Sequence, residues 1–202
     1  MIKKLCVIGA GTMGAGIAQV AAENGIETTI QDVDEKFVQR GLDTIKTFIA
    51  KKLEKGKLNQ ADHDLILGRV KGTTNLEEAV AGADMVIEAI FENMEIKQKI
   101  FAELDRLCPK EVILSSNTST LSISTIASAT KNPERVIGTH FFSPVPLMRL
   151  VEVIHGEKTS EEAVQSSLSF CTDIGKTAIL AKDVPGFIVN RFMCLLYNEA
   201  AE

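Results

Sequence analysis

Apolar residues recur along this chain in two alternating rhythms. Residues 5–8, Leu-Cys-Val-Ile, form a short unbroken apolar run ending in glycines, the pattern of a strand buried on both faces. Over residues 12–24 the spacing becomes helical, with Ile17, Val20 and Ala21 on one side and Gly25 as a stop. Residues 28–30 are β-branched and lead to Asp32, completing a strand–helix–strand unit. Residues 36–68 are more charged, yet Phe37, Leu42, Ile45, Phe48, Ile49 and Leu53 repeat with helical period. Gly56 divides this stretch into two helices, a helical hairpin inserted in the sheet domain. The alternation then resumes, with strands predicted at 69–72, 85–89, 112–114, 135–139, 150–154 and 177–180 and helices at 96–107, 122–129 and 161–174. Such alternation predicts an α/β fold built on a Rossmann-like, doubly wound, mostly parallel sheet.

Pro185-Gly186 marks a boundary. Residues 187–197 beyond it are strongly apolar and helical, with no cap or stop before the last residue, and such a helix needs a partner surface. The expected organisation is a sheet domain over 1–184, with its hairpin at about 36–68, followed at 185–202 by the start of an all-α domain. The chain therefore reads as a piece of a longer protein.

With 45% hydrophobic residues among 202, the chain has ample material for a core. A formal net charge of −5 argues against nucleic acid as a partner. No apolar run approaches membrane-spanning length, and the opening Met1-Ile2-Lys3-Lys4 lacks a secretory apolar segment. Cys6, Cys108, Cys171 and Cys194 are scattered, and Cys6 and Cys194 sit in apolar patterns that read as small core residues. The expectation is a cytoplasmic, reduced, metal-free protein without membrane or nucleic-acid partners.

Gly9-Ala10-Gly11-Thr12-Met13-Gly14 follows a predicted strand and opens a predicted helix, and Asp32 ends the next strand. In that context the glycines permit a tight turn and close backbone approach, the helix N-terminus receives a pyrophosphate, and the carboxylate meets ribose hydroxyls. Asp32 favours NAD over NADP, because a 2′-phosphate would meet its charge and no nearby arginine is offered. Ligands on open sheets of this kind collect beyond the carboxyl ends of strands. Glu92, the loop Ser116-Asn117-Thr118-Ser119 and His140 all fall at such ends.

His140 closes one apolar run, and Glu152 lies inside another, Leu150-Val151-Glu152-Val153-Ile154. A buried carboxylate is costly unless a charged or hydrogen-bonding group meets it. Pro144 and Pro146 suit a chain that turns back, so the two side chains can face each other as a base oriented by a carboxylate. The same spacing also suits a core histidine beside an unrelated glutamate. Asn190, a poor helix former, sits early in the terminal helix, where it either caps, packs or points into the site. Lys46, Lys51, Lys52, Lys55 and Lys57 form a basic run, which reads as a solvated helix face or as a receptor for a phosphorylated substrate. His63 and His155 have no evident partners.

Taken in order, Gly9–Gly14 with Asp32, the Ser116–Ser119 loop, His140-Phe-Phe-Ser-Pro-Val-Pro with Glu152, and Pro185-Gly-Phe-Ile-Val-Asn190-Arg resemble the 3-hydroxyacyl-CoA dehydrogenases, most nearly the bacterial 3-hydroxybutyryl-CoA enzymes. The resemblance covers essentially the whole chain. It implies an NAD-dependent, reversible oxidation of (3S)-3-hydroxyacyl-CoA to 3-oxoacyl-CoA, with His140 as base and Glu152 as its partner. It further implies substrate contacts at Ser119, Asn190 and Lys52. Cofactor contacts are implied at Gly9, Gly11, Thr12, Met13, Gly14, Asp32, Glu92, Lys97, Asn117, Ser119 and Ser143. Ser143 stands where the family commonly has asparagine. The family's helical domain implies a homodimer. Two other readings remain open: an NAD-binding scaffold without activity, and a lysine-dependent β-hydroxyacid dehydrogenase, which would need a lysine where this chain offers His140.

Overall fold

The computed structural model describes residues 1–201. The first strand–helix–strand unit is β1 (Lys4–Ile8), α1 (Thr12–Glu23) and β2 (Glu27–Gln31). The hairpin follows as α2 (Glu35–Glu54) and α3 (Gln60–Gly68), joined through Gly56. Next come β3 (Val70–Thr73), α4 (Leu76–Val80), β4 (Met85–Glu88) and α5 (Met94–Leu107). The remainder is β5 (Ile113–Ser116), α6 (Ile123–Ala127), β6 (Val136–Phe141), β7 (Leu150–His155), α7 (Glu161–Asp173), β8 (Thr177–Lys182) and α8 (Val189–Ala201), with a 3₁₀ turn at Pro133–Arg135 before β6.

All eight strands form one sheet in the order β3-β2-β1-β4-β5-β6-β7-β8. Every neighbouring pair is parallel except β6 and β7, which are antiparallel. The strand order reverses direction between β1 and β4, so the crevice at their carboxyl ends is the switch point where ligands of such sheets bind.

The apolar run of β1 serves both faces at once. Leu5 and Val7 join the core formed with α1, α2 and α7, whereas Cys6 and Ile8 join the core formed with α4, α5 and α6. Each large aliphatic side chain so buried contributes roughly 1.5–3 kcal/mol, which is why an uninterrupted apolar run suits a strand covered on both sides. By contrast α2 is amphipathic, burying Val38, Gly41, Ile45 and Ile49 along one stripe and leaving its lysines outward. Helix starts are capped by side chains: Asn93 accepts from the Ile96 N–H, Ser122 from Thr125 and Ser160 from Ala163. Each such cap is worth about 1 kcal/mol.

Three features differ from the sequence expectation. Helix α4 is too short to show a period; its signal is the pair Asn75 and Glu78, in which the Asn75 side chain accepts from the Glu78 N–H at 3.1 Å. Strand β6 extends to Phe141, so His140 lies within it rather than after it. Cys6 is buried, as read, but Cys194 is exposed. It sits on α8, none of whose residues is buried, and helical apolar spacing alone cannot show whether a face is covered. No helix among the described residues is long and apolar enough to cross a membrane.

Candidate active site

The glycine-rich loop leaves β1 at the switch point. Gly9 has φ +99°, and a Cβ there would lie 2.7 Å from the Ala89 carbonyl oxygen at the end of β4. A Cβ on Gly14 would lie 1.8 Å from the Gly9 carbonyl oxygen, so α1 starts hard against the loop only because both are glycine. Gly11 caps α1 without a side-chain hydrogen bond, and a Cβ there would meet nothing within 4 Å. Thr12 is exposed and Met13 half-buried, so the first turn of α1 reaches the surface, where an anion site can form. Asp32, one residue past β2, accepts from the Ala10 N–H at 2.8 Å through Oδ2 and from the Val33 N–H at 2.7 Å through Oδ1. Beside it runs a cleft walled by Gly9, Val33, Ile90 and Ile100. Apolar walls, a carboxylate at a strand end and an open helix N-terminus fit the adenosine and pyrophosphate of a dinucleotide.

The second cluster lies further along the sheet. His140 and Glu152 are register partners across β6 and β7, and Nδ1 of the ring lies 2.7 Å from the carboxylate Oε2. Glu152 is 0% exposed and His140 4%. The other carboxylate oxygen, Oε1, accepts from the Ile188 and Val189 N–H groups, each at 2.9 Å, where α8 begins. Burial alone would push the Glu152 carboxyl up. Hydrogen bonds from His140, Val189 and Ile188, with the charge of the ring, outweigh it and hold the group below the usual carboxylate range. Phe142 and Phe187 pack on the imidazole with centroid separations of 4.5 and 5.9 Å. With Nδ1 facing a carboxylate, Nδ1 carries the proton and Nε2 is left as the basic nitrogen.

The loop after β5 joins this cluster. Asn117 accepts from the Phe141 N–H at 2.9 Å through Oδ1, tying the loop to the residue beside His140. Glu92 Oε1 accepts from the Thr118 hydroxyl at 2.6 Å, the Ser119 N–H at 2.9 Å and the Thr120 N–H at 3.2 Å. The Asn190 carboxamide donates to the Ser119 carbonyl oxygen at 3.2 Å. Residues 71 positions apart are thereby brought together, while the Ser119 hydroxyl and the Asn190 carboxamide oxygen stay out of these bonds. Asp183 fixes the approach to α8 by accepting from the Ile123 N–H at 2.9 Å, the Ser124 N–H at 2.8 Å and the Ser122 hydroxyl at 2.9 Å.

Three further expected site residues are placed as follows. The Lys97 side chain is 1% exposed, and its ammonium lies 2.6 Å from Glu88 Oε1 and 3.5 Å from Glu92 Oε2. Lys52 is bound up in an ion pair with Glu23 at 2.6 Å, so the structure does not present it as a free cation. Ser143 is exposed on the turn between β6 and β7. Glu88 and Asp183 went unread in the sequence. The signal at Glu88 is the one that marks Glu152, a carboxylate inside an apolar run, here Met85-Val86-Ile87-Glu88.

The family described as 3-hydroxyacyl-CoA dehydrogenase, NAD binding domain, matches residues 4–184. A Bacillus subtilis protein named "Probable 3-hydroxybutyryl-CoA dehydrogenase" is 46% identical over 98% of this chain and 69% of its own length. The 3-hydroxybutyryl-CoA dehydrogenase of Clostridioides difficile is 42% identical over 98% of this chain and 70% of its own. The crystal structure of (S)-3-hydroxybutyryl-CoA dehydrogenase from Ralstonia eutropha superposes with a TM-score of 0.96 at 40% identity, covering 99% of this chain and 70% of that one.

Proposed function

The chain belongs to the 3-hydroxyacyl-CoA dehydrogenase family, as an NAD-binding oxidoreductase, and from that premise we propose its reaction and the residues that carry it. The substrate is a short (3S)-3-hydroxyacyl-CoA, 3-hydroxybutyryl-CoA first, oxidised reversibly to the 3-oxoacyl-CoA. This extends to the chain what the names of its relatives say of them.

His140 Nε2 takes the proton of the 3-hydroxyl group. The loop of Gly9–Gly14 with Asp32 would hold NAD, which would supply the hydride acceptor for C3. The imidazolium formed on His140 is stabilised by Glu152, whose charge is held in place by the Ile188 and Val189 N–H groups at the start of α8. In the reverse direction the same ring returns the proton. The Ser119 hydroxyl and the Asn190 carboxamide oxygen hold the substrate's polar groups so that C3 is presented at reaction distance. The carrying observation is the 2.7 Å contact between His140 Nδ1 and the fully buried Glu152.

The exposed apolar side chains Phe192, Leu195, Leu196 and Tyr197 on α8 support assigning that helix to a second, helical unit through which the enzyme dimerises. The test of the function is an initial-rate assay of acetoacetyl-CoA reduction with NADH and with NADPH. Turnover with NADH in clear preference to NADPH is expected; no turnover with either contradicts the proposal.

A further inference from the structure

A buried ionic network lies directly behind the Ser119 loop and takes no part in the mechanism above. Glu88, the last residue of β4, is 0% exposed. Its Oε1 accepts from Lys97 Nζ at 2.6 Å and from the Ile90 N–H at 2.7 Å, and its Oε2 accepts from the Ser116 hydroxyl at 2.6 Å. The Ser116 oxygen in turn accepts from the Thr118 N–H at 3.2 Å. Lys97 Nζ stands 3.5 Å from a second carboxylate, Glu92 Oε2. Glu92 is the residue whose other oxygen gathers the Thr118, Ser119 and Thr120 donors.

Two carboxylates thus share one buried cation, and of the two only Glu92 accepts directly from the Ser119 and Thr120 N–H groups. A buried ammonium left without its partner is costly, so it draws in whatever anion it can reach. While Glu88 neutralises Lys97, Glu92 is free to remain on the loop N–H groups. With the Glu88 charge removed, the reachable anion among the described residues is Glu92, whose Oε2 already stands 3.5 Å from Lys97 Nζ; closing that gap would draw its Oε1 off the loop donors.

We propose that Glu88 is a positioning residue for catalysis: by holding Lys97, it keeps Glu92 on the loop and so sets where Ser119 stands. The inference rests on the reading of Ser119 as a substrate contact. Glu88 also lies opposite Ile8 of β1, and the backbone just beyond it packs on Gly9. The same side chain therefore sits at the seam between the dinucleotide loop and the substrate loop.

The experiment compares Glu88→Gln, Lys97→Met and the double variant Glu88→Gln/Lys97→Met, with acetoacetyl-CoA and NADH as probes. Each single variant should lose about tenfold to a hundredfold in kcat, the scale of a misplaced contact group: Glu88→Gln lets Lys97 pull on Glu92, and Lys97→Met leaves the buried Glu88 carboxylate without its cation to repel Glu92. The double variant should be faster than either single one, because removing both charges lets Glu92 stay with the loop. Amide hydrogen exchange at Ser119 and Thr120, which needs no turnover, should speed up in each single variant and slow again in the double. Thermal melts identify any variant that fails to fold; if Glu88→Gln is lost that way, Lys97→Met against the double still decides. Unchanged kcat in Glu88→Gln, or a double variant no better than Lys97→Met in rate and exchange, overturns the inference. If the unmodified enzyme does not turn over while the exchange pattern holds, the proposed function fails and the positioning role of Glu88 stands.

Discussion

His140 and Glu152 face each other across the only antiparallel strand pair among the described residues, with ring nitrogen Nδ1 2.7 Å from carboxylate Oε2. The antiparallel turn is what makes this possible. In a parallel crossover, residues 12 apart in sequence would not become register partners. Because Glu152 also accepts from the Ile188 and Val189 N–H groups, the pair joins the sheet to the start of the helix that carries Asn190.

Glu152→Gln keeps the shape of the side chain and removes its charge. The imidazolium then forms without an adjacent anion, so kcat should fall while NAD affinity is retained, and the acidic limb of the pH–rate profile should be displaced. Isothermal titration with NADH and rates across pH check both halves. An unchanged profile would make Glu152 a structural residue only.

Stability should be lost on the acid side. Glu92, Asp105, Glu152 and Asp183 all lie below their ordinary values of 4.5 or 3.8: burial would raise them, but hydrogen bonds outweigh it, joined at all but Asp183 by a neighbouring cation. A carboxyl that is more acidic folded than unfolded contributes stability above its unfolded value, and that stability disappears as pH falls through the folded one. Denaturant midpoints should therefore be nearly level from neutrality down to about pH 5 and drop below about pH 4. A midpoint rising on acidification through that window would contradict this.

Ser167 carries a fully buried hydroxyl with no hydrogen-bond partner among the described residues. An unsatisfied buried polar group costs about 1–3 kcal/mol, and the void left by one oxygen is small. Ser167→Ala should raise stability by about 1 kcal/mol, read from urea unfolding. Destabilisation of that size would show that the hydroxyl has a partner after all.

Asp32→Ala should raise KM for NADH and narrow the preference over NADPH, since the carboxylate both ties the Ala10 N–H and repels a 2′-phosphate. Steady-state kinetics with the two cofactors measure this. An unaltered ratio would remove Asp32 from cofactor selection.

The legible parts of this protein are those whose signal is local. Strand β1 shows itself because its residues are buried on both faces, and α2 because one stripe is buried and the rest is not. The His140 and Glu152 pair is legible for a related reason: a carboxylate inside an apolar strand demands a partner, and Pro144 and Pro146 suggest the turn that supplies one. Lys97 is not legible in that way. Between Ile96 and Gln98 on an amphipathic helix it looks like a surface cation, and its inward direction is set by Glu88, nine residues earlier on another element. Cys194 misleads for the opposite reason, because the apolar spacing of α8 describes a face and not what covers it. The meeting of Ser119 and Asn190 depends on Asp183 anchoring the segment between β8 and α8, a tertiary bond with no periodic signature.

The most direct test of the account is turnover of acetoacetyl-CoA with NADH by His140→Ala, measured on folded enzyme whose NADH affinity has been verified. The account predicts a loss of roughly two to four orders of magnitude in kcat with cofactor binding intact, the range for a positioned acid–base group. Turnover near that of the unmodified enzyme would contradict it.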